Sequence, residues 1–124
     1  MRQRISDENR FTLLGEYLDE YRSYNTDSSL YISRERYQVA LRMKNKEHQD
    51  NALMNTAEIM GTAGTYKEAV DLMHNVQINH LPDDLHPYYY HIYRTVYGLM
   101  ADYAVTEQEK KLYAEITDRH RDSL

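Results

Sequence analysis

Gly64-Thr65-Tyr66-Lys67-Glu68-Ala69 is a short break between two helical patterns, with an aromatic and a small residue placed to pack back on the helix before it. Upstream of it Ala52, Leu53, Thr56, Ala57, Ile59 and Met60 recur at helical spacing, and downstream Ala69, Val70, Met73 and Val76 do the same. The stretch therefore reads as the elbow of two short antiparallel helices. At that elbow Ala57, Met60, Tyr66, Ala69 and Met73 are expected to bury one another.

The elbow has echoes. Tyr24 follows the run Phe11 to Tyr21, and Tyr103 follows the run Tyr88 to Met100, so Tyr24, Tyr66 and Tyr103 stand roughly 40 residues apart. A tetratricopeptide unit is a helix, a turn and a helix with a period of about 34 residues. The middle unit resembles it most closely, since Leu53, Ala57, Met60, Gly64, Tyr66, Ala69 and Met73 match its alternation of large, small, turn and aromatic positions. In the first unit Phe11, Leu14, Gly15 and Leu18 suit the opening helix. Its second helix, however, carries Ser29 and Arg36 where the motif favours small apolar residues. The fold expected is all-α: antiparallel helical hairpins stacked as a short tetratricopeptide-like right-handed solenoid of about six helices.

Composition bounds the function. With 124 residues the chain is read as one domain, long enough to bury a core. Charged residues make up 28% and hydrophobic ones 41%, which indicates neither disorder nor a membrane span. A net charge of −5 argues against nucleic-acid contact by this segment, because phosphate binding needs a basic patch. Cysteine is absent, so disulfides and thiolate metal sites are excluded. The 13 tyrosines, beside one Phe and no Trp, suit helices covered on one side only, where a ring packs while its hydroxyl reaches water or a partner. In the run Tyr88-Tyr89-Tyr90 successive helical positions face different directions, so at least one ring should be exposed.

Along the chain, Met1 to Ile5 reads as a lead-in. Ser6 or Asp7 caps the first helix, which runs to about Tyr24 with Glu8 in its opening turn. Asp27 is expected to cap a second helix, with Leu30, Tyr37 and Leu41 inward and Asn45 closing it after about Lys44. A third helix runs from near Glu47 to the Gly61–Gly64 region and a fourth from Thr65 to about Val76. Pro82 and Pro87 bracket an irregular linker with one helical turn at Asp83 to His86. A fifth helix then keeps Tyr90, Tyr93, Tyr97 and Met100 at core spacing to about Ala104. Thr106 caps a sixth helix, whose apolar face is Leu112, Tyr113 and Ile116.

The segments Arg10-Phe11-Thr12-Leu13-Leu14-Gly15, Tyr21-Arg22-Ser23-Tyr24, Asp27-Ser28-Ser29-Leu30-Tyr31, Gly64-x-Tyr66-Lys67-Glu68-Ala69, Leu81-Pro82-Asp83 and Leu99-Met100-Ala101-Asp102-Tyr103 together resemble the sensor half of Bacteroides-type regulatory proteins. That resemblance covers nearly the whole chain and rests on packing and turn motifs. It implies a tetratricopeptide-like region outside the inner membrane, tethered to a membrane helix, a coiled coil and a cytoplasmic regulatory domain. A periplasmic location follows from the resemblance; without it the cytoplasm is the default. The closing Asp122-Ser123-Leu124 resembles Asp27-Ser28-Ser29-Leu30 at the opening of a helix, so the chain is expected to be a piece of a longer repeat protein.

The search for chemistry finds no phosphate loop, HExxH, nucleophile elbow or EF-hand loop. No catalytic residue, metal site or cofactor is assigned, and the chain is read as a non-enzyme. His74, His80, His86 and His91 lack ligand spacing. Asp19-Glu20 reads as a solvated face and Asp83-Asp84 as a capped turn. Arg34, Arg36, Arg42, Lys44 and Lys46 suit the C-terminal end of the second helix.

What remains is a surface. In a tetratricopeptide stack the first helix of each pair lines the inner curve. That register puts Asn9, Thr12, Glu16 and Asp19, then Met54, Asn55 and Glu58, then Tyr88, His91 and Thr95 along one face, polar and acidic with Met54 and Tyr88 as apolar anchors. Such a face suits a protein or peptide partner, with a small sugar on Tyr88 left open. Self-association as a homodimer, through the sixth helix or Tyr88 to Tyr90, is also expected, as is the alternative of a purely structural segment without a ligand; no membrane insertion is.

Overall fold

A computed structural model describes residues 6–102 and 107–122. It contains six α-helices and no strand among them: α1 (Asp7–Tyr21), α2 (Thr26–Met43), α3 (Lys46–Thr62), α4 (Tyr66–His74), α5 (His86–Asp102) and α6 (Glu107–Asp122). Residues 1–5, the expected sixth-helix cap Thr106, Tyr103, Ala104 and the final Ser123-Leu124 lie outside the described residues.

Each helix start has a local cause. The Ser6 hydroxyl accepts from the Asn9 N–H at 3.2 Å, as expected of the cap of α1. Asn25, and not Asp27, caps α2: its side-chain oxygen accepts from the Ser28 N–H at 2.9 Å. Asn45 opens α3 by accepting from the His48 N–H at 3.0 Å instead of closing α2. The residue that closes α2 is Lys44, in the left-handed region with φ 54°. The elbow between α3 and α4 depends on Gly64, whose φ of 101° is one an L side chain rarely adopts. Beyond α4, short 3₁₀ turns at Ile78–His80 and Asp83–Leu85 carry the linker around to α5, one more turn than the sequence suggested.

Consecutive helices pack as neighbours, and α3 also lies against α5. The main core is built at the elbow: Met54, Ala57, Ala69, Met73, Val76, Leu81, Ile92, Tyr93 and Val96 are buried together, with Met60 and Tyr66 partly buried against them. A methyl group at position 61 would come within 2.6 Å of Val96 Cγ2, so Gly61 is what lets α3 and α5 approach. By contrast α1 and α3 keep their backbones apart and are bridged by side chains. Leu18 of α1 meets Ile32 and Ile59, and Phe11 meets Val39, Ala40 and Ala52.

Three inward faces differ from the sequence reading. On α2 the buried residues are Ser29, Ile32, Ser33, Val39 and Ala40, while Leu41 is exposed and Leu30 and Tyr37 are half-buried. Small serines allow the close approach, and the Ser33 hydroxyl is satisfied by the Leu30 carbonyl and the Thr56 hydroxyl, each at 2.9 Å. On α5 the buried stripe is Ile92, Tyr93 and Val96. Tyr90 falls outside the core cluster, whereas Tyr97 and Met100 pack on its edge. All of Tyr88, Tyr89 and Tyr90 are half-buried rather than one being exposed, because Tyr89 packs its ring edge-on against both Tyr90 and Tyr93. On α6 Leu112 is 49% exposed, and Tyr113 and Ile116 are half-buried, so Leu112 does not join the inward face.

Candidate functional site

The gap between α1 and α3 is a groove of about 550 Å³. One wall is α1, presenting Glu8, Thr12, Gly15, Glu16 and Asp19, with Arg22 just past its end reaching the floor. The opposite wall is a stripe of α3 formed by His48, Asn51 and Asn55, residues three and four apart that share one helical face. Arg36 of α2 and Tyr88 of α5 close the floor.

The floor is a continuous polar relay. Arg36 Nε–H donates to the Phe11 carbonyl at 3.0 Å, and its Nη1 donates to Asn55 Oδ1 at 2.7 Å. Asn55 Nδ2 donates to the Tyr88 hydroxyl at 3.1 Å, and that hydroxyl donates to Glu58 Oε1 at 2.8 Å. Arg22 Nη1 completes the chain with an ion pair to the same Glu58 oxygen at 2.7 Å. Four helices are thereby tied together through side chains. At the outer end Glu8 Oε1 lies 3.2 Å from His48 Nε2.

The surroundings tune these groups. Burial, and then the neighbouring Glu58 carboxylate, push the Tyr88 phenol well above the ordinary tyrosine range, so it serves the relay as a neutral donor. Burial lowers Arg36 from the usual guanidinium value. For Arg22 burial acts in the same direction, but Tyr88 and Glu58 outweigh it and hold the guanidinium above its usual value.

Of the face expected from the sequence, Thr12, Glu16, Asp19, Asn55 and Tyr88 line this groove. Glu58 lies behind Tyr88 and joins through the relay. Met54 cannot serve as an apolar anchor, because it is fully buried in the main core: α3 is covered by α2, α4 and α5, which leaves only the stripe through Asn51 and Asn55 for the groove. Tyr88 is a half-buried floor residue with its hydroxyl engaged. His91 is exposed, 3.8 Å from Glu58 Oε2, and does not line the groove. Thr95 opens on a separate shallow depression with Thr62, Gly98 and Thr117, and Asn9 is exposed on α1 away from the lining.

The sequence reading of an acidic groove also needs correction, since two guanidiniums occupy the floor. The sequence places Arg36 with the basic residues that suit the C-terminal end of the second helix. In the structure it turns inward, while Arg42 reaches Asp7 at 3.4 Å and Lys46 reaches Asp50 at 3.1 Å. The signal that could have found it was its place at a position where a repeat motif wants a small apolar residue. Among the described residues no cluster of His, Asp or Glu could hold a metal ion, and no helix is long and apolar enough to cross a membrane.

A sequence model of the family described as the SusR N-terminal TPR domain matches residues 1–124. No curated protein and no solved structure gives a significant match. The chain belongs to this family of tetratricopeptide-repeat domains, and the repeat identifies it as an interaction module.

Proposed function

We propose that this tetratricopeptide domain is the non-catalytic sensor module of a larger regulatory protein and that it recognises a protein or peptide segment in the groove between α1 and α3. The observation that carries this reading is the convergence of hydrogen-bonding groups from four helices on one open floor, with Arg36, Asn55, Tyr88 and Glu58 held in a single relay. Groups fixed in this way lose little side-chain entropy when a ligand arrives. Stacked helical hairpins offer a continuous groove of this kind to extended partners.

The relay also bears on the sugar alternative. Tyr88 is half-buried and its hydroxyl is committed to Asn55 and Glu58, so its ring offers little free platform for stacking. An open groove walled by polar side chains favours a peptide.

The test is a selection of binders from a random peptide library on the wild-type domain, followed by titration against Glu16→Lys combined with Asp19→Lys. Both residues are exposed on the wall of the groove, so the helical circular dichroism should persist. Binding should fall at least about tenfold, the scale of a rim charge reversal at a recognition site. Undiminished binding would move the recognition face elsewhere on the stack.

A further inference from the structure

The large hydrophobic side chains left exposed are not spread evenly. Of the five among the described residues, three are tyrosines of the first hairpin: Tyr17, Tyr24 and Tyr31. Tyr24 and Tyr31 are each 67% exposed, although an aromatic ring has much to gain from burial. They flank the turn between α1 and α2. There Tyr21, from the end of α1, joins Asp27, Ser28, Tyr31 and Ile32, from the first two turns of α2, around a cavity of about 400 Å³. This cavity shares no lining residue with the groove.

Its walls and its charge point to one kind of ligand. The Tyr21 and Tyr24 rings lie 5.6 Å apart and tilted by 55°, so together they form a corner rather than a flat platform. Asp27 adds a carboxylate to the lining. The Tyr24 phenol is raised by desolvation, by Tyr21 and by Glu20, which puts a second carboxylate beside the same pair of rings. Among the described residues no cationic side chain lies within ion-pair distance of Glu20 or Asp27. Arg22, the nearest cation in sequence, is turned to Glu58 on the groove floor. The last turn of α1 carries no basic residue either, so its terminal carbonyls add to the negative potential.

Aromatic faces beside unpaired carboxylates attract a cation. A primary ammonium is strongly hydrated, and the Ile32 side chain cannot replace its waters. A quaternary ammonium gives up its water more readily, and its methyl groups fit both an aliphatic floor and a tilted pair of rings. We propose that the α1–α2 turn holds a small quaternary ammonium compound of net positive charge, seated between Tyr21 and Tyr31 with Asp27 as its counter-ion. The site stands apart from the groove and does not depend on it.

The experiment is nuclear magnetic resonance titration of the ¹⁵N-labelled chain with choline, with ethanolamine, and with the uncharged isostere of choline in which a tert-butyl group replaces the trimethylammonium. Choline should give saturable shifts at the Tyr21, Ser28, Tyr31 and Ile32 amides. The isostere should bind at least about fivefold more weakly, the scale of one cation–aromatic contact. Ethanolamine should be weaker than choline as well. Tyr31→Leu should lower choline binding at least about fivefold, whereas Tyr31→Phe, which keeps the ring face, should retain most of it. Asp27→Asn should weaken choline and leave the isostere unchanged. Both positions are exposed, so helical circular dichroism should persist in the variants; were Tyr31→Leu to lose it, Asp27→Asn decides. Equal binding of choline and its isostere would overturn the cation assignment, and equal binding of ethanolamine the quaternary one. Full binding by a folded Tyr31→Leu would overturn the aromatic wall. Shifts confined to the groove at Gly15 and Asn55, or none, would overturn the site altogether.

Discussion

The guanidinium carbon of Arg36 lies 3.8 Å from the centroid of the Phe11 ring, and His48 stacks on the same ring at 4.1 Å and 9°. Two planar groups so close to one centroid must lie on opposite faces, so Phe11 is sandwiched between α2 and α3. It is the means by which α1 is held at a distance from α3. A cation over an aromatic face contributes about 0.5–2 kcal/mol. In a double-mutant cycle, Phe11→Leu with Arg36→Gln should show a coupling of that size in chemical denaturation. Additive losses would mean that the stack is a geometric coincidence.

The glycines of α1 and α3 should respond oppositely to the same change. Gly61→Ala forces a methyl group against the buried, β-branched Val96, where overpacking costs about 1–3 kcal/mol against a helix-propensity gain of about 1 kcal/mol. Gly15→Ala meets only the far end of a flexible arginine and keeps the propensity gain. Gly61→Ala should lower the melting temperature, and Gly15→Ala should leave it unchanged or raise it. A tolerated Gly61→Ala would contradict the close approach of α3 and α5.

These contrasts mark what the sequence could and could not convey. The elbow was legible because Ala57, Ala69 and Met73 repeat at helical spacing and the turn needs Gly64. The buried face of α2 was not, because it is carried by Ser29 and Ser33, which a search for apolar periodicity passes over. Arg36 was hidden for a different reason: its inward course depends on room left by Gly15 on another helix. Met54 was misplaced because repeat register alone does not reveal that α5 also covers α3. Local pattern thus gave the helices, whereas the floor of the groove is set by contacts between residues distant in sequence.

Ala69 lies in the core at the elbow. It is fully buried with Ala57 and Met73, and a side chain of any size would press α4 off α3. Ala69→Leu should cost about 1–3 kcal/mol by overpacking, read as a lower denaturation midpoint at an unchanged slope. An unchanged midpoint would show that the crossing has slack.

The relay predicts an alkaline limit to stability. Burial, reinforced by Glu58, raises the Tyr88 phenol above its ordinary range, and burial likewise raises Tyr93 and Tyr97. A group that holds its proton more tightly when folded contributes stability that is fully present below its unfolded pKa, about 10 for tyrosine, and is lost as pH rises from there toward the folded value. These tyrosines should therefore add no pH dependence between about pH 7 and 9, and stability should fall above about pH 10. Tyr88→Phe separates the contributions. It removes the donor to Glu58 and the acceptor for Asn55, so it should destabilise at pH 8 by about 1–3 kcal/mol. It should also flatten the decline above pH 10, since one of the raised phenols is gone. Urea midpoints measured from pH 8 to 11 on both proteins give the answer. An alkaline decline as steep in Tyr88→Phe as in the wild type would assign the limit to Tyr93 and Tyr97 in the main core and leave the groove floor indifferent to pH.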